Sequence, residues 1–265
     1  MREINYNEHI FSICAYKESA YLETCIKSII RQTVKSDIII CTSTPNEYIF
    51  NLADKYNLSV HVRNGESDIR NDWNFAYNTA DKPYVTVVHQ DDVYSRRYTE
   101  QLKSSIEAAN GEFDIYFTDY RPLKKHGIRI DANCIIRGLL RLPMRSKSMS
   151  GNKHMKRLIL SLGNSICCPT VTYNKAKLGK DVFTSEMKFN IDWDTFLKLA
   201  EREGRFLYNT HVGVLYRIHD EATSKEFIDT RGRETEDRKM FMKFWPEWLV
   251  DLIMIFYKKA YETYF

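Results

Sequence analysis

The sequence predicts an α/β fold: a mostly parallel, doubly wound central sheet flanked by helices, with a C-terminal helical extension. Three observations carry that prediction. Four short apolar runs alternate with helical periodicities between His9 and Asn110, the pattern of strands joined by helical crossovers. The fourth run, Pro83 to Val88, is β-branched, aromatic and apolar almost throughout, as a strand buried on both faces requires. Directly after it stand two adjacent carboxylates, Asp91 and Asp92, at the sheet edge where ligands bind in open α/β folds.

Taken in order, His9 to Ala15 reads as the first strand. A helix over Glu18–Gln32 follows, and Leu22, Cys25, Ile26, Ile29 and Ile30 share one face of it at spacings of three and four. Asp37 to Cys41 is the second strand, and Pro45 to Tyr56 the second helix, with its proline near the start where it is tolerated. Leu58 to Val62 alternates as a third strand, and Asp68 to Ala80 is the helix that leads into the fourth. Arg96 to Asn110 is helical. Beyond it the pattern loosens. Phe113 to Thr118 is a further strand, Lys124 to Gly151 a set of short helices with a mobile loop, and Met155 to Leu162 a helix. Cys168 to Tyr173 is extended. Phe189 to Asp194 opens a helix whose Trp193, Phe196, Leu197 and Ala200 share a face, and Phe206–Asn209 and Val212–His219 are strands. From Arg231 onward apolar residues follow helical spacing, with Pro246 forcing a kink or a restart. Trp248 to Tyr257 is apolar nearly all round. Packing on the domain, pairing with another copy and lying in a membrane interface beside Lys258 and Lys259 all fit it.

Hydrophobic and charged fractions of 43% and 28% are those of a soluble globular chain, and 265 residues can bury a full core. The six cysteines lack CxxC spacing and several sit in apolar runs, so they read as buried free thiols of a reducing compartment. The N-terminus lacks the apolar core of a signal peptide, and no stretch reaches the ~20 apolar residues of a spanning helix. The expected location is the cytoplasm, including the inner face of the plasma membrane. Charge is uneven: Arg121 to Arg157 holds eleven Lys or Arg residues against one acid, Asp131, within a chain of net charge +4. Such a field recruits anions, whether phosphates, lipid headgroups or nucleic acid. A nucleic-acid partner is set aside, because the segment carries no recognised motif or aromatic platform.

Two acids side by side repel each other unless a proton or a cation lies between them. A hard divalent ion shared with substrate phosphates answers that repulsion, and a cap on the following helix is the plainer alternative. The pair alone leaves both open. Other stretches bear on it. Ile13-Cys14-Ala15-Tyr16-Lys17-Glu18, followed by Ser28-Ile29-Ile30-Arg31-Gln32-Thr33, resembles the opening of family 2 glycosyltransferases. Gln90-Asp91-Asp92 is similar to their metal-and-nucleotide motif, and Asp192-Trp193-Asp194 with Phe196 to Ala200 to their second acidic signature. Tyr216-Arg217-Ile218-His219, with Ser224 beyond, resembles a segment many members carry after it.

The resemblance runs from about His9 to Ser224 and implies a GT-A-like fold with a Rossmann-type sheet. It implies a metal-dependent inverting glycosyltransferase that uses Mg²⁺ or Mn²⁺ and a nucleotide-diphosphate sugar, with a UDP-sugar as the expected donor. The acceptor would be a saccharide or a lipid-linked precursor of a cell-surface polysaccharide. Ala15, Tyr16, Glu18, Arg70 and Asp91 would contact the nucleotide; Asp92, with Asp91, the metal. Asp192 would be the base, and Arg217 and His219 would touch diphosphate or acceptor. Residues 1–120 would form the nucleotide-sugar half, 121–225 the acceptor half of the same domain, and 226–265 a helical extension. Peripheral membrane contact and a homo-oligomer are further expectations. The plainer alternatives are Asp192 as a helix cap, Asp194 as a partner of the helix dipole, and His219 as a strand-end histidine. Two departures from the family pattern stand out. His89 replaces the usual acid two residues before Asp91, and Cys41 to Asn46 replaces the acidic stretch that reads the base. They motivate a second reading, a catalytically degenerate nucleotide-sugar-binding or scaffolding subunit of the same fold.

Overall fold

A computed structural model describes residues 4–219 and 232–258. Ser224 and the ends of the chain lie outside these. The sheet is built in the predicted order. β1 (Ile4–Ala15), β2 (Val34–Thr42), β3 (Ser59–Val62) and β4 (Tyr84–His89) pair in parallel as β3-β2-β1-β4. Helices α1 (Leu22–Ile30), α2 (Glu47–Tyr56) and α3 (Ile69–Thr79) make the crossovers. Side chains along β1 alternate between two cores, as the period of two demands. Phe11, Ile13 and Ala15 join α1 and α2 on one face, whereas Ile10 joins α3 on the other.

Sequence details explain the boundaries. Asn46 caps α2 by accepting from the Ile49 N–H at 3.0 Å, and Asp68 caps α3 by accepting from Asn71 at 2.9 Å. The N-terminal strand runs five residues further upstream than its apolar core suggests, because Ile4 and Asn5 still pair with Val34 and Lys35.

After β4 the expected helix is delayed. A two-residue strand, β5 (Val93–Tyr94), intervenes, and α4 (Tyr98–Ala108) starts with Arg97 at its cap position. Neither Asp91 nor Asp92 caps it.

The second half completes the sheet with β6 (Ile115–Lys124), β7 (Gly127–Ile128), β8 (Thr172–Asn174) and β9 (Phe206–Arg217), in the order β4-β8-β6-β9-β5 with β7 beside β6. β8 is antiparallel to both β4 and β6; β9 is parallel to β6. The two strands expected between Phe206 and His219 are one, bent by register shifts around Asp119. Gly213 permits that bend. A Cβ there would stand 2.2 Å from the Thr118 hydroxyl, and the glycine carbonyl accepts from the Ser95 N–H. The bend pairs β9 with β5, so that its last residues end beside the acid pair.

α5 (Ala132–Arg141), α6 (Lys147–Gly151) and α7 (Lys153–Leu158) fill the basic segment. α8 (Lys175–Leu178) leads towards α9 (Ile191–Ala200). The chain closes with α10 (Gly232–Phe241) and α11 (Glu247–Tyr257), divided at Pro246 as expected. Met240, Phe241, Val250 and Met254 from these two helices join Trp193 and Phe196 of α9 in the core shared with α3. The inner face of the extension therefore packs on the domain. Among the described residues no helix is long and apolar enough to cross a membrane, and all six cysteines are free thiols.

Candidate active site

β1 and β4 are neighbours in register, with Cys14 opposite His89, so the turns that follow them open side by side. Gln90 locks the two together. Its side-chain carbonyl accepts from the Tyr16 N–H at 2.9 Å, and its amide donates to the Tyr16 carbonyl at 3.0 Å. The Lys17 N–H donates to Thr44 Oγ1 at 2.7 Å, which ties in the turn after β2. Lys17 takes a left-handed conformation, φ 50°, and turns the chain sharply between Tyr16 and Glu18. These turns open onto one cavity of about 680 Å³, within the range of ligand clefts.

The acid pair is held from three sides. The Arg217 N–H donates to Asp92 Oδ1 at 2.8 Å, and its Nε donates to the Asp91 carbonyl at 2.8 Å. Ser19 Oγ donates to Asp91 Oδ1 at 3.2 Å, and His219 Nε2 lies 3.3 Å from Asp91 Oδ2 without hydrogen-bond alignment. Tyr21 supports this end, with the Arg217 guanidinium 4.4 Å from its ring centroid and the His219 ring at 4.8 Å.

Asp92 is the unusual member, 1% exposed, with Oδ2 lacking any hydrogen-bond partner among the described residues. Burial pushes its carboxyl well above the ordinary range, against the Arg217 N–H. His89 Nδ1 is 4.0 Å from that oxygen. Burial lowers the imidazole to about 4, which outweighs the Asp91 charge and leaves the ring neutral at pH 7. The ring stacks on Trp73 at 4.9 Å, so Trp73 is a cavity wall through His89 as well as part of the core.

Asp192 lines the same cavity from the other half of the chain. Asn190, not Asp192, occupies the cap position of α9, so the carboxylate is not the helix cap. Its Oδ1 accepts from the Trp193 N–H at 2.8 Å and its Oδ2 from Asn164 Nδ2 at 2.7 Å. Burial nevertheless raises it to about 6, opposed by those bonds and by Arg137. The side chain is thus held and mostly ionised at neutral pH, as a general base requires. Asp194 points elsewhere, to Lys243 at 2.5 Å and Lys198 at 2.9 Å. Burial works against its charge, but these two ammonium groups still hold its carboxyl below the ordinary range.

Of the residues singled out from sequence, Ala15, Tyr16, Glu18, Asp91, Asp92, Asp192, Arg217 and His219 all border this cavity. Arg70 does not; its guanidinium donates to the Ser185 carbonyl at 3.2 Å. Gln90, Ser19, Asn164 and Arg137 were not anticipated as site residues. Ser19, Asn164 and Arg137 each hold or face an acid from a distant stretch, which no local motif encodes, and Gln90, though inside the acid motif, acts on the distant Tyr16 backbone.

A divalent ion can be tested against these residues. Among the described residues no group of three or more His, Cys, Asp or Glu converges as a metal cage. The two adjacent carboxylates, one with a buried oxygen lacking a partner, match instead the sparse donor set of a Mg²⁺ or Mn²⁺ ion that takes its other ligands from substrate phosphates. On that chemistry the residues fit.

Comparison with known proteins bears on fold and family. The family model described as Glycosyl transferase family 2 matches residues 11–181, more than half of the chain. Among solved structures, S. aureus TarS superposes with a TM-score of 0.59 at 14% identity over 94% of this chain, which spans 42% of the TarS chain. The 1–349 portion of TarS in complex with UDP-GlcNAc gives 0.59 at 13%, covering 94% of this chain and 70% of that one. Mannosyltransferase PcManGT from Pyrobaculum calidifontis, in complex with GDP-Man and Mn²⁺, gives 0.62 at 12%, covering 90% and 64%. No curated protein matches the sequence.

Proposed function

The chain belongs to glycosyl transferase family 2, and from that premise we propose a metal-dependent reaction in which a sugar passes, with inversion, from a nucleotide diphosphate to a saccharide or lipid-linked acceptor. The observation that carries this reading is the single cavity onto which the Asp91–Asp92 turn and Asp192 both open. The division of labour follows the chain, with 1–120 holding the donor, 121–225 the acceptor, and 226–265 a helical extension.

In this reading Ala15, Tyr16 and Glu18 frame the nucleotide, and Gln90 keeps their turn in register with the acid pair. Asp91 and Asp92 would hold the divalent ion, which when bound offsets the charge developing on the leaving diphosphate. Arg217 and His219 face the same place. Arg217 fixes the Asp92 carboxyl through its backbone N–H and the Asp91 main chain through its guanidinium, which holds the two carboxyls in place. Asp192 accepts the proton of the acceptor hydroxyl while that oxygen forms its bond to the anomeric carbon and the diphosphate departs with the bonding pair. Asn164 aims its carboxylate. The donor is expected to be a UDP-sugar and the product part of a cell-surface polysaccharide, made at the cytoplasmic face of the membrane.

Turnover of a sugar-nucleotide panel with Mg²⁺ or Mn²⁺ tests this. Asp192→Asn is expected to lower turnover by about two to four orders of magnitude, the range of general-base catalysis. Asp92→Asn and chelation of the metal should abolish it. Unchanged turnover in both variants would remove the assignments.

A further inference from the structure

α5 is mounted inside out. Its polar side chains face the protein: Arg141 is fully buried, pairs with Asp119 at 2.6 Å and donates to the Ser165 carbonyl, and Arg137 donates to the Tyr120 hydroxyl at 3.3 Å. Its apolar side chains face solvent. Ile135, Ile136, Leu139 and Leu142 are 56%, 53%, 61% and 43% exposed and recur at helical spacing as one stripe. The hairpin leading into the helix continues the trait, with Ile128 and Ile130 at 53% and 58%. An amphipathic helix of a globular domain ordinarily buries this face. Six exposed aliphatic side chains within fifteen residues form a patch of the kind that marks an interaction surface.

The charge around the stripe identifies what covers it. Lys125, Arg129, Arg145 and Lys147 flank it and are exposed, in a segment with eleven basic residues and one acid. A second copy seated on this face would bring the same basic field against it. An anionic surface with an apolar interior satisfies both features at once. We propose that α5 and its flanking hairpin dock the protein on anionic lipid bilayers, the stripe entering the acyl boundary and the lysines and arginines meeting the headgroups. Arg137 on the opposite side of the same helix lines the cavity, so docking sets the cavity beside the membrane. If the glycosyl-transfer reading holds, that placement suits an acceptor carried on a lipid. The docking itself does not depend on that reading.

The test is co-sedimentation of the full chain with vesicles of phosphatidylcholine, alone or with about 30% phosphatidylglycerol, at low and high salt. Wild type should bind the anionic vesicles at least about tenfold better than the neutral ones, and salt should weaken that binding. Ile136→Glu/Leu139→Glu and, separately, Lys125→Glu/Lys147→Glu should each lose about tenfold, with melting temperature and nucleotide affinity unchanged. The charge variant keeps the proposal testable if the apolar variant fails to fold. Equal pelleting of wild type with both vesicle types would overturn it. So would full anionic binding by either folded variant, or a wild-type dimer that ignores vesicles and dissociates in the apolar variant. No donor or acceptor is present, so failure here is separate from failure of the transferase reading.

Discussion

At the scale of single residues, the candidate site depends on how burial sets the charge of two aspartates, Asp92 and Asp192. Asp192, raised to about 6, is ionised above that value and protonated below it. The rate limited by proton removal should therefore rise with pH, level off above about 7, and show an apparent pKa near 6 in kcat/KM. Asn164→Ala removes a bond that favours the charged form, so the inflection should move upward. A profile flat from pH 5 to 8 would count against Asp192 as the base. Asp92 makes the opposite trade. Burial disfavours its charged form and leaves one oxygen without a partner among the described residues, so Asp92→Asn should raise the melting temperature slightly while turnover is lost. Thermal melts beside activity assays check this. The acids themselves were legible in sequence, because a motif places them just past predicted strand and helix boundaries. The residues that hold them were not: Gln90 acts through the backbone of Tyr16, and Asn164 is 28 positions from Asp192.

The helices and strands show where periodicity suffices and where pairing decides. The parallel half was readable because β1, β2 and β4 carry buried apolar runs and each helix carries its own stripe or cap. β5, only two residues long, exists because it pairs with β9, and that long-range pairing separates the acid pair from α4. α5 misleads in another way, since its apolar face points outward and its arginines inward. Arg141→Ala would take the buried cation away from the half-buried Asp119, which keeps the Tyr208 hydroxyl, at a cost of about 3 kcal/mol, the low end for breaking a buried ion pair. Chemical denaturation should show that loss, and near-wild-type stability would mean that α5 is not anchored there. Asp194 links α9 to Lys243 beyond α10. Its carboxyl is lowered in the fold, so its stabilisation is present at neutral pH and is lost as pH falls through the folded value. Asp194→Asn should lower the melting temperature at pH 7, and the gap should close as pH falls below the ordinary carboxylate range. A gap that stayed constant with pH would contradict the ion pairs.

For the whole molecule, one sheet gathers residues from opposite ends of the chain onto one cavity, and a basic, apolar surface lies behind one wall of it. The family match stops at residue 181, short of Asp192, Arg217 and His219. It is the fold, through the bend of β9 and the start of α9, that brings those three to the cavity of the acid pair. Apart from Arg70, the site residues singled out from sequence line one cavity; the physical means of meeting required the structure. The central claim is that the acid pair binds donor through a divalent ion while Asp192 serves the acceptor. Calorimetric titration of nucleotide diphosphates into wild type, Asp92→Asn and Asp192→Asn, each with and without Mn²⁺, tests it most directly. The account predicts that Mn²⁺ strengthens wild-type binding at least about tenfold, that Asp92→Asn abolishes this gain, and that Asp192→Asn keeps it. Tight binding that is indifferent to Mn²⁺ in all three proteins would contradict it.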